Sequence, residues 1–216
     1  LGISDFKNSG YISAFAEPES VSKTLEYAYN DWCIAQMALI LKDTLAYENY
    51  SHRAQFYKNI YNSKSGFMQP KTNGGWKQGF VPSEVNYNYT EANAWQYSFF
   101  VPHDINGLVE MHGGEEVFEK RLDSLFTVNS DLIGRQQADI TGMIGQYAHG
   151  NEPSHHMAYL YNMIGKSYKS QSMVNKILNE QYSNEPDGIA GNEDCGQMSA
   201  WYVLSSIGLY DVNPGD

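Results

Sequence analysis

Pairs of helical segments separated by long loops are the feature that most limits what this chain can fold into. Apolar residues recur at spacings of three and four in roughly eight stretches, the first over residues 20–42 and the last over residues 195–207. The segments 66–89 and 129–153 break this rhythm and are rich in Gly and Asn. Little of the sequence alternates as a strand does, so we expect an all-α protein.

Long loops after every second helix are typical of a toroid of helical hairpins. In such a fold the inner helices bury their apolar faces around an axis, and the loops gather at one end as a site. A closed (α/α)6 ring needs about twelve helices, so the pattern predicts a partial (α/α)6 toroid, a fragment of a larger barrel. Residues 208–216 are expected to be a strand entering a turn.

Charge and composition exclude several classes of protein. The formal net charge is −11 and Lys and Arg form no cluster, which argues against nucleic acid as a partner. No apolar run approaches the roughly 18–20 residues that cross a bilayer, so we expect a soluble chain without a membrane-spanning segment. Cys33 and Cys195 are interpreted as free thiols. No leader is visible, so any export signal has been removed or lies upstream.

The first candidate site is the junction around Glu91. Thr90 is expected to cap a helix over 90–97, which places Glu91 in its opening turn. There a carboxylate either complements the helix dipole or, if aromatic neighbours exclude water, becomes a proton donor at neutral pH. The neighbours that would exclude water are Tyr87, Tyr89, Trp95 and Tyr97.

Two further junctions carry acids and histidines. Glu193 and Asp194 precede a helix and act either as caps or as a site in which a carboxylate holds a water as general base. Residues 149–156 contain three His but too few convergent ligands for zinc. Oxygen donors such as Asn151, Glu152 and Asp194 suit a hard cation such as calcium better, since calcium takes about six to eight oxygens.

Four stretches carry these residues, namely LEYAYNDWCIAQM (25–37), YTEANAWQY (89–97), HGNEPSHH (149–156) and GNEDCGQMSAWY (191–202). Together they resemble glycoside hydrolase family 92, a family of exo-acting α-mannosidases, and the resemblance spans nearly the whole chain. It implies that residues 1–216 are the C-terminal portion of an (α/α)6 catalytic domain. A β-sandwich domain and the first hairpins would precede this portion.

The resemblance also implies roles for single residues. Glu91 would be the general acid and Asp194 the general base of an inverting reaction on terminal α-linked mannose, with carboxyls roughly 6.5–9.5 Å apart. Calcium is the implied cofactor, and a mannose-containing glycan is the implied substrate. Many members carry Asp where Asn192 stands, so Asn192 is expected to orient water or metal. The implied metal ligands are Asn151, Glu152 and Asp194, and the implied substrate-binding residues are Trp95, His155, Asn192 and Glu193.

Two other interpretations stay open. Another toroid glycosidase, of the glucosidase or trehalase kind, would also pair two carboxylates. A non-catalytic carbohydrate-binding helical domain would use Tyr and Trp surfaces, with the acids serving only as helix caps. A periplasmic or extracellular location suits an enzyme that trims glycans.

Overall fold

A computed structural model describes residues 2–214, which form two compact units. Unit 1 contains residues 2–104 together with 213–214, and unit 2 contains Ile105–Val212. Each unit consists of helices joined by loops and strands of two residues. The prediction of an all-α class is therefore confirmed.

The longest helix of unit 1 is α2, over Ser20–Ile40. Its buried face contains Val21, Leu25 and Ala28, which recur at the expected helical spacing. The prediction that Ser20 is the N-cap is wrong, since the N-cap is Glu19, whose backbone is left-handed with φ 60°. Ser20 is itself buried, so its side chain lies against the unit rather than at an open helix end.

Helix α3, over Thr44–Ala54, packs against α2, as the sequence predicts for a hairpin. The Asp43 side chain caps it by accepting a hydrogen bond from the Ala46 N–H at 3.0 Å. A buried ion pair joins the two helices. Arg53 donates from Nε to Asp31 Oδ2 at 2.6 Å and from its terminal nitrogen to Oδ1 at 2.5 Å.

The rest of unit 1 is irregular, with one short hairpin at the start of the expected loop 66–89 and another within it. Residues 61–62 pair with 67–68, and residues 71–72 pair with 75–76, both antiparallel. Besides α2 and α3, the elements are α1 (Ile3–Ser9), a 3-10 helix (Gln55–Ile60), α4 (Ala94–Tyr97) and the strands Tyr61–Asn62, Phe67–Met68, Lys71–Thr72, Gly75–Trp76 and Glu84–Val85.

Unit 2 is built around the apolar stripe of helix α6, over Glu115–Thr127. Phe118, Leu122 and Leu125 are fully buried, as their spacing predicts. On the same helix, Asp123 accepts hydrogen bonds from Lys169 Nζ at 2.6 Å and from the Tyr161 hydroxyl at 2.9 Å. The helices are α5 (Ile105–His112), α6 (Glu115–Thr127), α7 (Leu160–Met163), α8 (Ser167–Glu180) and α9 (Gln197–Ser206). The shorter elements are the 3-10 helices Glu152–Ser154 and Met157–Tyr159 and the strands Ile133–Gly134, Met143–Ile144 and Tyr147–Ala148.

Two expectations for unit 2 and the chain end are wrong. Ser154 does not cap a continuous helix, because it ends the 3-10 helix that begins at Glu152, and α7 starts only at Leu160. Residues 208–214 form no strand, and residues 215–216 lie outside the described range.

Among the helices of residues 2–214, none has the length and apolar character needed to cross a bilayer.

Candidate active site

Glu91 lies in a bend before helix α4, which corrects the expectation that it opens a helix. The helix begins at Ala94 and is capped by Asn93, whose side chain accepts from the N–H groups of Trp95 and Gln96. Glu91 has a left-handed backbone, with φ 49°. Because a side chain with a Cβ rarely adopts this conformation, the loop holds Glu91 under backbone strain, as is common at functional sites.

The aromatic residues around Glu91 are mostly buried in unit 1. The Tyr89 hydroxyl donates to the Met68 carbonyl at 2.8 Å. Trp95 packs edge-on against Phe67, with ring centroids 4.7 Å apart, so in this unit its indole contributes to the core. Burial raises the pKa of Tyr97 above its usual range. Tyr87 is exposed, so it does not belong to this aromatic wall.

The two junctions of unit 2 meet at a close contact between glycine backbones. A Cβ on Gly191 would lie 2.6 Å from Gly150 Cα and 2.7 Å from Gly150 O. A Cβ on Gly150 would clash with the Thr141 hydroxyl. Only glycine permits this approach, which brings the loop of Asn151 and Glu152 beside the loop that leads to Asp194.

A chain of hydrogen bonds through His149 supports this contact. The Tyr182 hydroxyl donates to the Met198 carbonyl at 3.2 Å, so its oxygen accepts from His149 Nε2, 2.7 Å away. His149 Nδ1 therefore accepts from the Tyr147 hydroxyl, also at 2.7 Å. Burial lowers the pKa of His149 to about 3, in agreement with a neutral ring.

His155 is held in the same way. Its Nε2 lies 2.9 Å from the His149 carbonyl and must donate to it, which leaves Nδ1 to accept from the Gln197 side chain at 3.2 Å. Burial lowers the pKa of His155 to about 4. Both ring nitrogens of His149 and of His155 are thus used within unit 2, and the predicted contact of His155 with substrate stays a prediction.

The acids before α9 divide into a cap and an exposed carboxylate. Glu193 Oε1 accepts from the Ser199 N–H at 3.0 Å, and its Oε2 accepts from the Gly196 N–H. Asp194 is exposed and has φ 45°, and Cys195 follows with φ 57°. The helix itself starts at Gln197, so Asp194 stands in a strained turn ahead of it.

Asn192 has a partner that the sequence did not reveal. Its Nδ2 donates to Asp139 Oδ1 at 3.3 Å, and Gln137 donates to the other oxygen of Asp139 at 2.5 Å. Asp139 therefore brings a carboxylate to the loop of Asn192. No motif in the loop 129–153 marks this residue in advance.

The donor set of unit 2 fits calcium better than a transition metal, but it is incomplete. Within residues 2–214 no group of three or more His, Cys, Asp or Glu side chains is placed to hold a metal ion. Asn151 and Glu152 offer oxygen donors on one of the two loops that meet at Gly150 and Gly191, and Asp194 lies on the other. Oxygen donors are what calcium prefers, and it needs more of them than these three side chains supply.

Comparison with known proteins decides the family. Residues 1–216 match the sequence profile of the Glycosyl hydrolase family 92 catalytic domain. The chain belongs to glycosyl hydrolase family 92. The interpretation as a glycosidase of another toroid family is therefore wrong.

Solved members of the family share the fold of this chain. A GH92 α-mannosidase of Bacteroides thetaiotaomicron in complex with mannoimidazole is 40% identical, with a TM-score of 0.92 over 99% of this chain and 29% of that chain. A GH92 inverting mannosidase of the same species (strain VPI-5482) is 37% identical, with a TM-score of 0.86 over 99% of this chain and 30% of that chain.

A curated relative from Arthroderma benhamiae is described as an uncharacterized secreted glycosidase. It is 28% identical over 246 residues, which cover 99% of this chain and 30% of the relative. The chain thus spans about 30% of the length of the relatives it matches.

Proposed function

We propose that the full-length protein hydrolyses terminal α-linked mannose from glycans with inversion at the anomeric carbon. The observation that carries this proposal is the match of residues 1–216 to the GH92 catalytic domain. The likeness to solved α-mannosidases at 40% and 37% identity, one of them described as inverting, supports the substrate and the stereochemistry.

In the proposed mechanism Glu91 is the general acid. It donates its proton to the glycosidic oxygen as the bond from that oxygen to the anomeric carbon breaks. The left-handed backbone at Glu91 and the burial of Tyr89 and Tyr97 beside it support this role, because a strained loop against a desolvated wall holds a carboxyl in a fixed position.

Asp194 is the proposed general base. It takes a proton from the water that attacks the anomeric carbon on the face opposite the leaving group, which gives mannose of inverted configuration and the free alcohol of the glycan. Glu193 is engaged as a helix cap and Asn192 is neutral, so Asp194 is the exposed carboxylate of this loop. Asn192, held by Asp139, is proposed to orient the water or the metal, and Glu193 to line the substrate site.

We also propose that hydrolysis depends on calcium. Asn151, Glu152 and Asp194 would contribute oxygen ligands, and further ligands would come from carbonyls, water and parts of the protein beyond these loops. When bound, the ion would hold sugar hydroxyls and stabilise developing charge. The glycan substrate and the secreted relative support a periplasmic or extracellular location, with the N-terminal domain of the same protein as the partner of this segment.

The experiment that tests this proposal measures mannose release from a panel of α-linked mannobioses by the full-length protein, with and without a calcium chelator. We expect release that the chelator abolishes and added calcium restores. The first sugar product, followed by NMR, should be the β-anomer. Binding of mannosides without any release would instead favour the non-catalytic carbohydrate-binding interpretation.

A further inference from the structure

Glu26 is a half-buried acid in unit 1 that the proposed mechanism does not use. It lies on α2, one turn after Ser22, so the two side chains share a face of the helix. Within residues 2–214 its carboxylate has no hydrogen bond or ion pair, and burial alone raises its pKa to about 7.

The surroundings of Glu26 connect it with Glu91. Tyr97 is buried near Ser22 and Thr90, and the negative charges of Glu26 and Glu91 both act to raise the pKa of its hydroxyl. The Thr90 N–H also donates to the Ser22 hydroxyl at 2.9 Å. Glu26 and Glu91 therefore lie near the same group of hydroxyls, one on a helix and one on the loop that follows Thr90.

An unpaired, desolvated carboxyl destabilises a fold. Transfer of a charge out of water without a compensating hydrogen bond is unfavourable, and nothing among the described residues offsets it at Glu26. A residue that costs stability and lies beside a proposed catalytic acid is typical of a group that serves a bound ligand.

We propose that Glu26 binds the sugar on which Glu91 acts, by accepting a hydrogen bond from a ring hydroxyl of that sugar. This inference rests on the proposed function and adds a substrate-contacting residue to it. A carboxylate is a strong acceptor for a hydroxyl, and the half-buried Glu26 has no partner among the described residues, one turn away from the Ser22 side chain that accepts from the Thr90 N–H.

The test compares Glu26→Gln and Glu26→Ala in the full-length protein, with Glu48→Gln on exposed α3 as the matched control. A hydrogen bond to a charged acceptor predicts a fall of about 10- to 100-fold in kcat/KM for an α-mannoside with Glu26→Ala, and no change with Glu48→Gln. Calorimetric binding of mannose should weaken about as much. Because an unpaired carboxyl is removed, Glu26→Gln should melt at the same temperature as the wild type or higher.

Substrates that lack one hydroxyl separate binding from a structural role. For the deoxymannoside that lacks the contacted hydroxyl, Glu26→Ala should cause little further loss, while the losses on the other deoxymannosides should be undiminished. A lower melting temperature with equal losses on every substrate would show a structural role and overturn the inference. Wild-type hydrolysis that Glu26→Ala leaves unchanged would overturn it while the proposed function stands. A wild type that neither binds nor cleaves mannosides would overturn both.

Discussion

Glu193 accepts a hydrogen bond from the backbone N–H of Ser199, with 3.0 Å between Oε1 and N. Its side chain therefore contacts the first turn of α9, which follows it in the chain. Its other carboxylate oxygen accepts from the Gly196 N–H. The two bonds use N–H groups that have no partner within the helix. Since Glu193 is fixed in this way, the next residue, Asp194, is left exposed at a strained position.

We expect Glu193→Gln to weaken the start of α9 and to lower activity without abolishing it, because the loop of Asp194 loses its anchor. The Ser199 hydrogen bonds hold the pKa of Glu193 below its ordinary value of 4.5. Because the pKa of this carboxyl is lower in the folded protein than in the unfolded chain, ionised Glu193 stabilises the fold above pH 4.5. This contribution is lost as the pH falls through the pKa of the folded state.

Thermal melts at pH 7 and pH 4 measure the effect, with Glu185→Gln in the same unit as control. The difference in melting temperature between Glu193→Gln and the wild type should shrink at the lower pH. An equal difference at both pH values would contradict a role for the ionised cap.

Gly191→Ala should separate the two loops of unit 2. The added Cβ would lie 2.6 Å from Gly150 Cα. Because the contacting atoms belong to the Gly150 backbone, no flexible side chain can move aside to relieve the clash. We expect a loss of about 1–3 kcal/mol in the free energy of unfolding and a fall in activity of about tenfold or more. Gly75→Ala, where the nearest atom is 3.7 Å away, is the control. Equal activity of Gly191→Ala and Gly75→Ala would contradict the need for a close contact between Gly150 and Gly191.

His112 should make unit 2 less stable in mild acid. Burial lowers its pKa from 6.5 to about 4. The unfolded chain therefore binds a proton below pH 6.5 that the folded protein does not accept until about pH 4. Neutral His112 therefore costs the folded protein no stability above pH 6.5. As the pH falls through this window, the free energy of unfolding decreases by at most about 1.4 kcal/mol per pH unit.

Urea unfolding between pH 7 and 4 measures this slope. His112→Phe should make it shallower, and His52→Gln, at an exposed position of α3, should leave it unchanged. A slope that His112→Phe does not alter would assign the acid sensitivity to other groups.

Arg53→Met should destabilise unit 1 by about 3–5 kcal/mol, because it leaves Asp31 buried without its partner. Burial already raises the pKa of Asp31, and the Arg53 hydrogen bonds oppose that rise. The double variant Asp31→Leu/Arg53→Met removes both charges and should recover much of the loss. Chemical denaturation of the two variants tests this, and a double variant less stable than Arg53→Met would contradict the argument.

The sequence predicts the packed helices of the core better than it predicts the arrangement of the candidate site. The α6 stripe and the α2 and α3 pair followed from apolar spacing, because burial of one face leaves a periodic pattern. The position of Glu91 did not, since Asn93 competes with Thr90 as cap and its capping box with Gln96 wins. Propensity alone does not rank two capping residues that lie only three positions apart.

The contacts that build the site were also hidden, because they join residues far apart in the chain. Gly150 and Gly191 are ordinary loop glycines in the sequence, and only their approach explains both. Asp139 belongs to a loop without periodicity, and Glu26 looks like one more polar position on an amphipathic helix. Such roles depend on the neighbours that the fold supplies.

Glu91 is the proposed acid and Asp194 the proposed base of one inverting hydrolysis. The most direct measurement compares Glu91→Gln and Asp194→Asn, in the full-length protein, on a mannobiose and on a dinitrophenyl α-mannoside, whose leaving group needs no proton. We predict that Glu91→Gln loses about 10²- to 10⁴-fold on the mannobiose but little on the dinitrophenyl substrate, whereas Asp194→Asn loses as much on both. Equal losses on both substrates for Glu91→Gln, or near-normal activity of Asp194→Asn, would contradict the assignment.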